Sequence, residues 1–187
     1  MKIAIVGGIG SGKSEILRVA REMNLACLSA DEINAELLTN PDYVQKIAKM
    51  FPFAIEKGAV NKTALAKAIF CDREAREKLN TLAHPLILKR IEKDVRTPLV
   101  VEVPLIFESG ATKLFDEIVA VVAPLESRVN RLKEYRGMSE EDIFARISSQ
   151  IDDIKYESIA TRVIHNDDTI DALESQARKV FDEILIG

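Results

Sequence analysis

Residues 7–14 read Gly7-Gly8-Ile9-Gly10-Ser11-Gly12-Lys13-Ser14, and they fit the phosphate-loop pattern G-x-x-x-x-G-K-[ST] at every position. Residues 2–6 before this stretch are apolar after Lys2 and predict a short strand, and residues 15–23 after it carry apolar side chains at helical spacing. Glycines let backbone N–H groups approach phosphate oxygens closely, and the start of a helix adds the positive end of its dipole. The stretch therefore predicts that the chain binds a nucleoside triphosphate.

Each part of this loop has its own expected task. We expect the phosphates to be held by Gly8, Ile9, Gly10, Ser11 and Gly12. Lys13 can reach the β- and γ-phosphates, and the hydroxyl of Ser14 can ligate Mg²⁺. The alternative, a glycine-rich turn that binds nothing, is disfavoured because the pattern and its strand–helix context agree.

Composition places the chain among ordinary globular proteins. Its 187 residues are 47% hydrophobic and 30% charged, which suits a single domain with a sizeable core. The net charge of −4 gives no basic field, so nucleic acid is not the expected partner. The two cysteines lack a paired pattern, and the first residues enter a strand too short to cross a membrane, so we expect a cytoplasmic protein with no membrane partner. The oligomeric state has no signature in the sequence.

Five short apolar runs alternate with helical patterns along the chain. The runs cover residues 3–6, 26–28, 99–103, 118–123 and 162–164. This alternation predicts an α/β fold with a five-stranded parallel sheet flanked by helices.

A helical insertion interrupts the sheet between the second and third runs, over residues 33–97. Asn61 is placed as the N-cap of a helix over 62–70, and Asp72 as that of a helix over 73–82. Pro85 suits the first turn of a helix over 86–95. We expect this insertion to be an acceptor-binding subdomain.

A second insertion covers residues 124–158 and is a candidate mobile lid. Gly137 is expected to break its helical pattern, and Ser139 to start a further helix. The core then comprises residues 1–32, 98–123 and 159–187. The insertion is rich in arginine, a side chain that suits phosphate: Arg128, Arg131, Arg136 and Arg146.

Phosphoryl transfer also needs groups on the acceptor side. Asp31 directly follows the second strand and could accept a proton from an acceptor hydroxyl, hold a metal-bound water, or cap a helix over 32–38. Arg146 and Gln150 stand four apart on the predicted lid helix, so they share a face. Arg146 could clamp the transferring phosphoryl group, or it could belong to a solvated helix face. His84 precedes Pro85 and could be a capping or core histidine.

Six ordered segments along nearly the whole chain resemble the dephospho-coenzyme A kinase family. They are residues 7–14, Ser29-Ala30-Asp31, His84-Pro85-Leu86-Ile87, Val103-Pro104-Leu105-Ile106-Phe107-Glu108, residues 139–150 and Val163-Ile164-His165-Asn166-Asp167. The phosphate loop alone is shared by many families, whereas the ordered set is specific.

The resemblance implies ATP-dependent phosphorylation of the ribose 3′-hydroxyl of dephospho-coenzyme A by a single P-loop kinase domain with ATP and Mg²⁺. It implies catalytic roles for Lys13, for Asp31 as the base and for Arg146 as the phosphate clamp. On the ATP side it adds Arg136 and Asn166. On the acceptor side it implies Asp31, His84, Pro104, Leu105, Glu108 and Gln150.

The chain departs from the family pattern at four places: Ser29, Asn61-Lys62, Tyr135 or Arg136, and Thr161. Two other readings stay open. One is a different small-molecule kinase on the same scaffold, acting on a nucleoside, a nucleotide or shikimate. The other is a nucleotide-binding regulatory protein without turnover.

Overall fold

The computed structural model describes residues 1–103, 106–107 and 110–187. They form two compact units, one of Met1–Leu28 with Val95–Gly187 and one of Ser29–Asp94. The strands are β1 (Lys2–Val6), β2 (Ala26–Ser29), β3 (Ile55–Glu56), β4 (Ala59–Val60), β5 (Leu99–Glu102), β6 (Glu117–Val122) and β7 (Arg162–His165). The helices are α1 (Lys13–Glu22), α2 (Ala30–Leu37), α3 (Pro41–Met50), α4 (Lys62–Cys71), α5 (Arg73–Glu92), α6 (Leu125–Arg136), α7 (Glu140–Ser148), α8 (Asp153–Ile159) and α9 (Ile170–Ile186).

The first unit is built on a five-stranded parallel sheet with the order β2-β5-β1-β6-β7. In the central strand β1, Ile3 lies opposite Val100 of β5 on one side and opposite Glu117 of β6 on the other. The interior residues of the strands are apolar, as expected for a parallel sheet covered by helices, and the polar residues lie at strand ends, such as Lys2 and Glu102. The predicted five-stranded α/β architecture is confirmed, and the loop after β1 emerges at the carboxyl edge of the sheet.

One face of this sheet is covered by α1 and α9. Ile16 and Val19 of α1 and Ala177 and Phe181 of α9 are fully buried in one cluster with the strand residues. Burying a side chain such as Phe181 contributes about 1.5–3 kcal/mol of hydrophobic stabilisation. This packing fixes the start of α1, which is the helix that follows the phosphate loop.

Helices α6 and α7 form a small core of their own within the first unit. Leu132 and Ile143 are fully buried there, and Ile9 of the loop packs against them. Gly137 ends α6 in the left-handed conformation (φ 59°), and the hydroxyl of Ser139 caps α7. Both signals are where the sequence predicts them.

The second unit covers most of the predicted insertion, up to Asp94. Asn61 caps α4 by accepting from the N–H of Ala64 over 3.0 Å. Asp72 caps α5 by accepting from the N–H of Glu74 over 2.8 Å. These two caps are confirmed because a short polar side chain before a helical pattern satisfies amides that have no partner inside the helix.

One expectation for this unit is wrong. Pro85 lies inside the continuous helix α5 and not in the first turn of a new one. A proline in a helix interior costs about 3 kcal/mol, and the packing of Leu79, Leu86 and Ile87 on both sides of it offsets that cost. The unit also contains the hairpin β3–β4, whose turn holds Lys57 at φ 50°.

The sequence-based boundaries of core, insertion and lid stay predictions. Among the residues in the described ranges, no helix combines the length and apolar character that a membrane span requires.

Candidate active site

The phosphate loop connects the end of β1 at Val6 to the start of α1 at Lys13. Gly12 has φ 109°, and a Cβ there would lie 2.4 Å from Nδ2 of Asn166. Gly7 has φ 142°, and a Cβ there would lie 2.2 Å from the carbonyl oxygen of Val121. Both positions exclude any side chain, so the glycine pattern follows from backbone conformation and close packing.

Three side chains hold carbonyl oxygens of this loop. Nζ of Lys13 donates to the carbonyl of Gly8 over 2.9 Å. Nε of Arg128 donates to that of Ile9 over 2.8 Å, and Nδ2 of Asn166 donates to that of Ser11 over 2.8 Å.

These contacts also orient the amides of the loop. In a trans peptide the C=O and the following N–H point in opposite directions. The N–H groups of Gly10 and Gly12 therefore face away from Arg128 and Asn166, and within the described residues no protein group accepts from either of them. Backbone amides arranged in this way form a binding site for an anion.

Asn166 is itself held firmly at the end of β7. It is 5% exposed, and its backbone N–H donates to the carbonyl of Val122 over 2.8 Å. Nη2 of Arg131 donates to its side-chain oxygen over 2.9 Å. Asn166 thus links the sheet, α6 and the phosphate loop.

A cavity of about 460 Å³ adjoins the loop at Gly12, within the first unit. Its wall includes polar groups of Arg131 and Asn166 and apolar surface of Ile170 and Leu173. Most of the other lining residues are polar or charged, and the cavity is large enough to hold a small organic ligand.

Gln150, which belongs to the predicted lid, contacts the loop directly. Its Oε1 accepts from the N–H of Ile9 over 2.7 Å. Helix α7 ends at Ser148, so Gln150 lies beyond it, and the expectation that it shares a helix face with Arg146 is wrong. Arg146 is exposed in the last turn of α7.

Ser14 and Arg136 are also exposed. Ser14 lies in the first turn of α1, and Arg136 is the last residue of α6. The structure thus brings Lys13, Asn166 and Gln150 to the loop.

Asp31 lies in the second unit, as the second residue of α2, and it is exposed. The helix is capped by Ser29, whose hydroxyl accepts from the N–H of Asp31 over 3.1 Å. Glu32 completes a capping box by accepting from the N–H of Ser29. The capping alternative for Asp31 is therefore wrong, because the helix starts earlier than its apolar pattern indicates.

His84 is half-buried within α5 and does not precede a helix start, since that helix continues through Pro85. Three other predicted acceptor-side residues lie outside the described residues: Pro104, Leu105 and Glu108.

Sequence reasoning missed the individual roles of Arg128 and Asp153. The side chain of Arg128 is 8% exposed, and its Nη1 lies 3.2 Å from Oδ2 of Asp153. Burial raises the pKa of Asp153 above its ordinary value, while Arg128 and, to a lesser extent, Lys13 oppose that shift. Arg128 and Arg131 lie three residues apart on α6 and share a face of that helix, where Arg128 bonds the Ile9 carbonyl and Arg131 bonds Asn166. The sequence pattern of α6 does not by itself distinguish them from the other arginines.

Comparison with known proteins adds an independent finding. A sequence model of the dephospho-CoA kinase family matches residues 1–172. The dephospho-CoA kinase of Carboxydothermus hydrogenoformans is 35% identical over 93% of this chain and 89% of its own length.

Two solved structures are similar over the whole chain. The protein TT1252 from Thermus thermophilus has a TM-score of 0.81 and 31% identity, covering 98% of this chain and 97% of that one. Dephospho-CoA kinase from Campylobacter jejuni has a TM-score of 0.70 and 27% identity, covering 98% of each chain. The likeness therefore includes both the sheet and the insertions.

Proposed function

The chain belongs to the dephospho-coenzyme A kinase family, and on that premise we propose how its residues share the work of phosphoryl transfer. The function is ATP-dependent phosphorylation of the ribose 3′-hydroxyl of dephospho-coenzyme A, giving coenzyme A and ADP. A different small-molecule kinase is not favoured, because the family match spans residues 1–172. The protein is expected to work in the cytoplasm.

The donor side of the proposal depends on one observation: side chains hold the loop carbonyls of Gly8, Ile9 and Ser11. The amides of Gly10 and Gly12 then point to the opposite side, where the β- and γ-phosphates of ATP bind. Lys13 follows Gly12 directly, and its ammonium group supplies positive charge to the transferring phosphoryl group. Phosphoryl transfer needs little covalent help, so this electrostatic arrangement is the main contribution of the loop.

We assign Mg²⁺ to the hydroxyl of Ser14. This hydroxyl is exposed in the first turn of α1, directly after Lys13. Among the described side chains, no cluster of three or more His, Cys, Asp or Glu could hold a metal on its own. A nucleotide-bound Mg²⁺ fits this arrangement, because it needs only one or two protein oxygens beside phosphates and water. When bound, it neutralises charge that develops on the phosphates.

The base of ATP is assigned to the cavity of about 460 Å³ beside Gly12. Ile170 and Leu173 offer apolar surface to a purine ring, and Asn166 offers a polar group at the same wall. The cavity adjoins the loop, so one nucleotide can place its base there and its phosphates on the loop. Arg136, exposed at the end of α6, is proposed to contact the nucleotide from the lid.

The acceptor side is proposed from the family resemblance. Asp31 would accept the proton of the 3′-hydroxyl, and its carboxylate is exposed and not used as a helix cap. Arg146 would contact the equatorial oxygens of the transferring phosphoryl group. The proposed acceptor contacts are His84, Pro104, Leu105, Glu108 and Gln150.

The assignment is tested by an acceptor assay on the purified full chain. ADP formation is measured with ATP and Mg²⁺ plus dephospho-coenzyme A, AMP, adenosine or shikimate, and the coenzyme A product is identified by mass spectrometry. We expect ADP to form only with dephospho-coenzyme A. Turnover with another acceptor in its place would reject the substrate, and nucleotide binding without any turnover would favour a regulatory protein.

A further inference from the structure

We propose that Arg128 is a positioning residue for the phosphate loop: it holds the Ile9 carbonyl on one side of the loop backbone and so turns the N–H of Gly10 to the other side, toward the phosphates of ATP. The inference rests on the proposed function for the identity of that ligand. It adds a residue that acts through the loop backbone and does not itself touch the reacting atoms.

The first observation is that Arg128 is buried and paired. Its side chain is 8% exposed, and a guanidinium out of water is costly unless its N–H groups are hydrogen-bonded. Nε donates to the carbonyl of Ile9 over 2.8 Å, and Nη1 faces the carboxylate of Asp153 at 3.2 Å. Arginine suits this position because its rigid fork reaches two acceptors at once, which lysine cannot match.

The second observation is close contact with three consecutive loop residues. A Cβ on Gly8 would lie 2.3 Å from Nη2 and 2.7 Å from Cζ of Arg128. A Cβ on Gly10 would lie 3.1 Å from the backbone oxygen of Arg128. With the hydrogen bond to Ile9, the arginine therefore packs along the backbone of residues 8–10.

The third observation is the geometry of the two peptides around Ile9. The Gly8 carbonyl accepts from Lys13, and the N–H of Ile9, on the other side of that peptide, donates to Gln150. The Ile9 carbonyl accepts from Arg128, so the N–H of Gly10 faces the opposite way. Gly10 has φ 77° and no Cβ to fix its conformation, so the peptide before it can rotate unless a side chain holds it.

Asp153 gives Arg128 a fixed position. It is the first residue of α8, whereas Arg128 lies on α6. The pair therefore joins the two ends of the second insertion next to the loop. Loss of either partner is expected to loosen the Ile9–Gly10 peptide.

The test compares Arg128→Ala, Arg128→Lys and Asp153→Asn with wild type in the full chain. Arg162→Ala is the control, since it removes an arginine of the same unit that is 40% exposed. The dissociation constant of ATP is measured by calorimetry well below the melting temperature. The KM values for ATP and for dephospho-coenzyme A are measured separately, together with thermal unfolding.

We expect Arg128→Ala to weaken ATP binding and raise its KM by about 10- to 100-fold, because small displacements of binding groups have effects of that size. Arg128→Lys and Asp153→Asn should each weaken ATP binding by at least about fivefold, while the KM for dephospho-coenzyme A stays within about twofold. Arg162→Ala should match wild type.

A lowered melting temperature with ATP affinity within about twofold of wild type would overturn the proposal, since a purely structural residue gives that result. If Arg128→Ala does not fold, the ATP affinities of Arg128→Lys and Asp153→Asn test the proposal by the same twofold limit. A wild type that binds ATP but does not phosphorylate dephospho-coenzyme A would reject the proposed function alone, because the ATP affinities still test Arg128.

Discussion

The side-chain amide of Asn166 donates to the carbonyl of Ser11 over 2.8 Å, although the two residues are 155 positions apart in the sequence. The contact joins the end of the last strand to the phosphate loop, and Arg131 holds the other side of the same amide. A hydrogen bond between buried groups so far apart in sequence couples the shape of the loop to the completed sheet.

Asn166→Ala should therefore affect both stability and nucleotide affinity. Removing one partner leaves the Ser11 carbonyl buried without a donor, which costs about 1–3 kcal/mol in the free energy of unfolding. The KM for ATP should rise about tenfold, since 1.4 kcal/mol corresponds to that factor. Urea denaturation and steady-state kinetics measure the two effects.

Gln176→Ala is the matched control for this prediction. Its side-chain amide also donates to a backbone carbonyl, that of His165, but this bond is exposed and is not made to the loop. Equal changes in the KM for ATP in Asn166→Ala and Gln176→Ala would show that the Ser11 contact has no special influence on ATP affinity.

Asp31→Asn should lower kcat by about 100-fold or more, because a general base contributes factors of about 10²–10⁴. The KM for ATP should stay close to that of wild type. Glu32→Gln is the neighbouring control: it removes a carboxylate of the same helix turn that accepts from the N–H of Ser29. It should lose some stability and keep its turnover, and a similar fall in kcat for both variants would argue for a loss of local charge instead of a base.

The sheet and the loop are predictable because their signals are local. A buried parallel strand such as β1 is an uninterrupted apolar run, and the loop needs glycine where φ is positive or a Cβ would clash. The caps Asn61, Asp72 and Ser139 are equally local, since each side chain bonds an amide two or three residues ahead.

The errors come from tertiary packing, which a local pattern does not contain. In the sequence Pro85 predicts the start of a helix, but the apolar contacts on both sides of it keep α5 continuous. Arg128 looks like the other arginines of its insertion in sequence, and only burial against Ile9 and pairing with Asp153 distinguish it. Asp31 is a plausible cap for a helix over 32–38, but α2 starts two residues earlier, at Ala30, and Ser29 caps it.

Arg146→Ala tests the proposed phosphate clamp on the lid. Removing a cationic contact that is made only in the transition state should lower kcat by about 100-fold or more. Arg146 is exposed, so the free energy of unfolding should change by no more than about 0.5 kcal/mol. Stopped-flow or steady-state assays of ADP formation measure kcat, and thermal unfolding measures the change in stability.

Lys133→Ala is the control for the lid. Lys133 forms an exposed ion pair with Glu140, which joins α6 to α7, so its removal tests the lid without touching the proposed clamp. A loss of kcat in Lys133→Ala as large as that in Arg146→Ala would point to a general disturbance of the lid.

Tyr43 offers a test in the second unit that is independent of catalysis. The residue is 2% exposed, and its hydroxyl is buried with no hydrogen-bond partner among the described residues. An unsatisfied buried hydroxyl costs about 1–3 kcal/mol. Tyr43→Phe should therefore raise the free energy of unfolding at pH 7 by about 1 kcal/mol, measured by urea denaturation.

The same burial predicts a pH dependence with a definite sign. Burial raises the pKa of Tyr43 above its ordinary value, so the unfolded chain ionises first, at a pH near 10. Below that pH the tyrosine is neutral in both states, and above it each further pH unit favours the unfolded state by up to about 1.4 kcal/mol until the folded pKa is reached. The difference in the free energy of unfolding between Tyr43→Phe and wild type should therefore increase from about pH 9 to about pH 11. A difference between the two proteins that stays constant over this range would show that the hydroxyl is hydrated in solution.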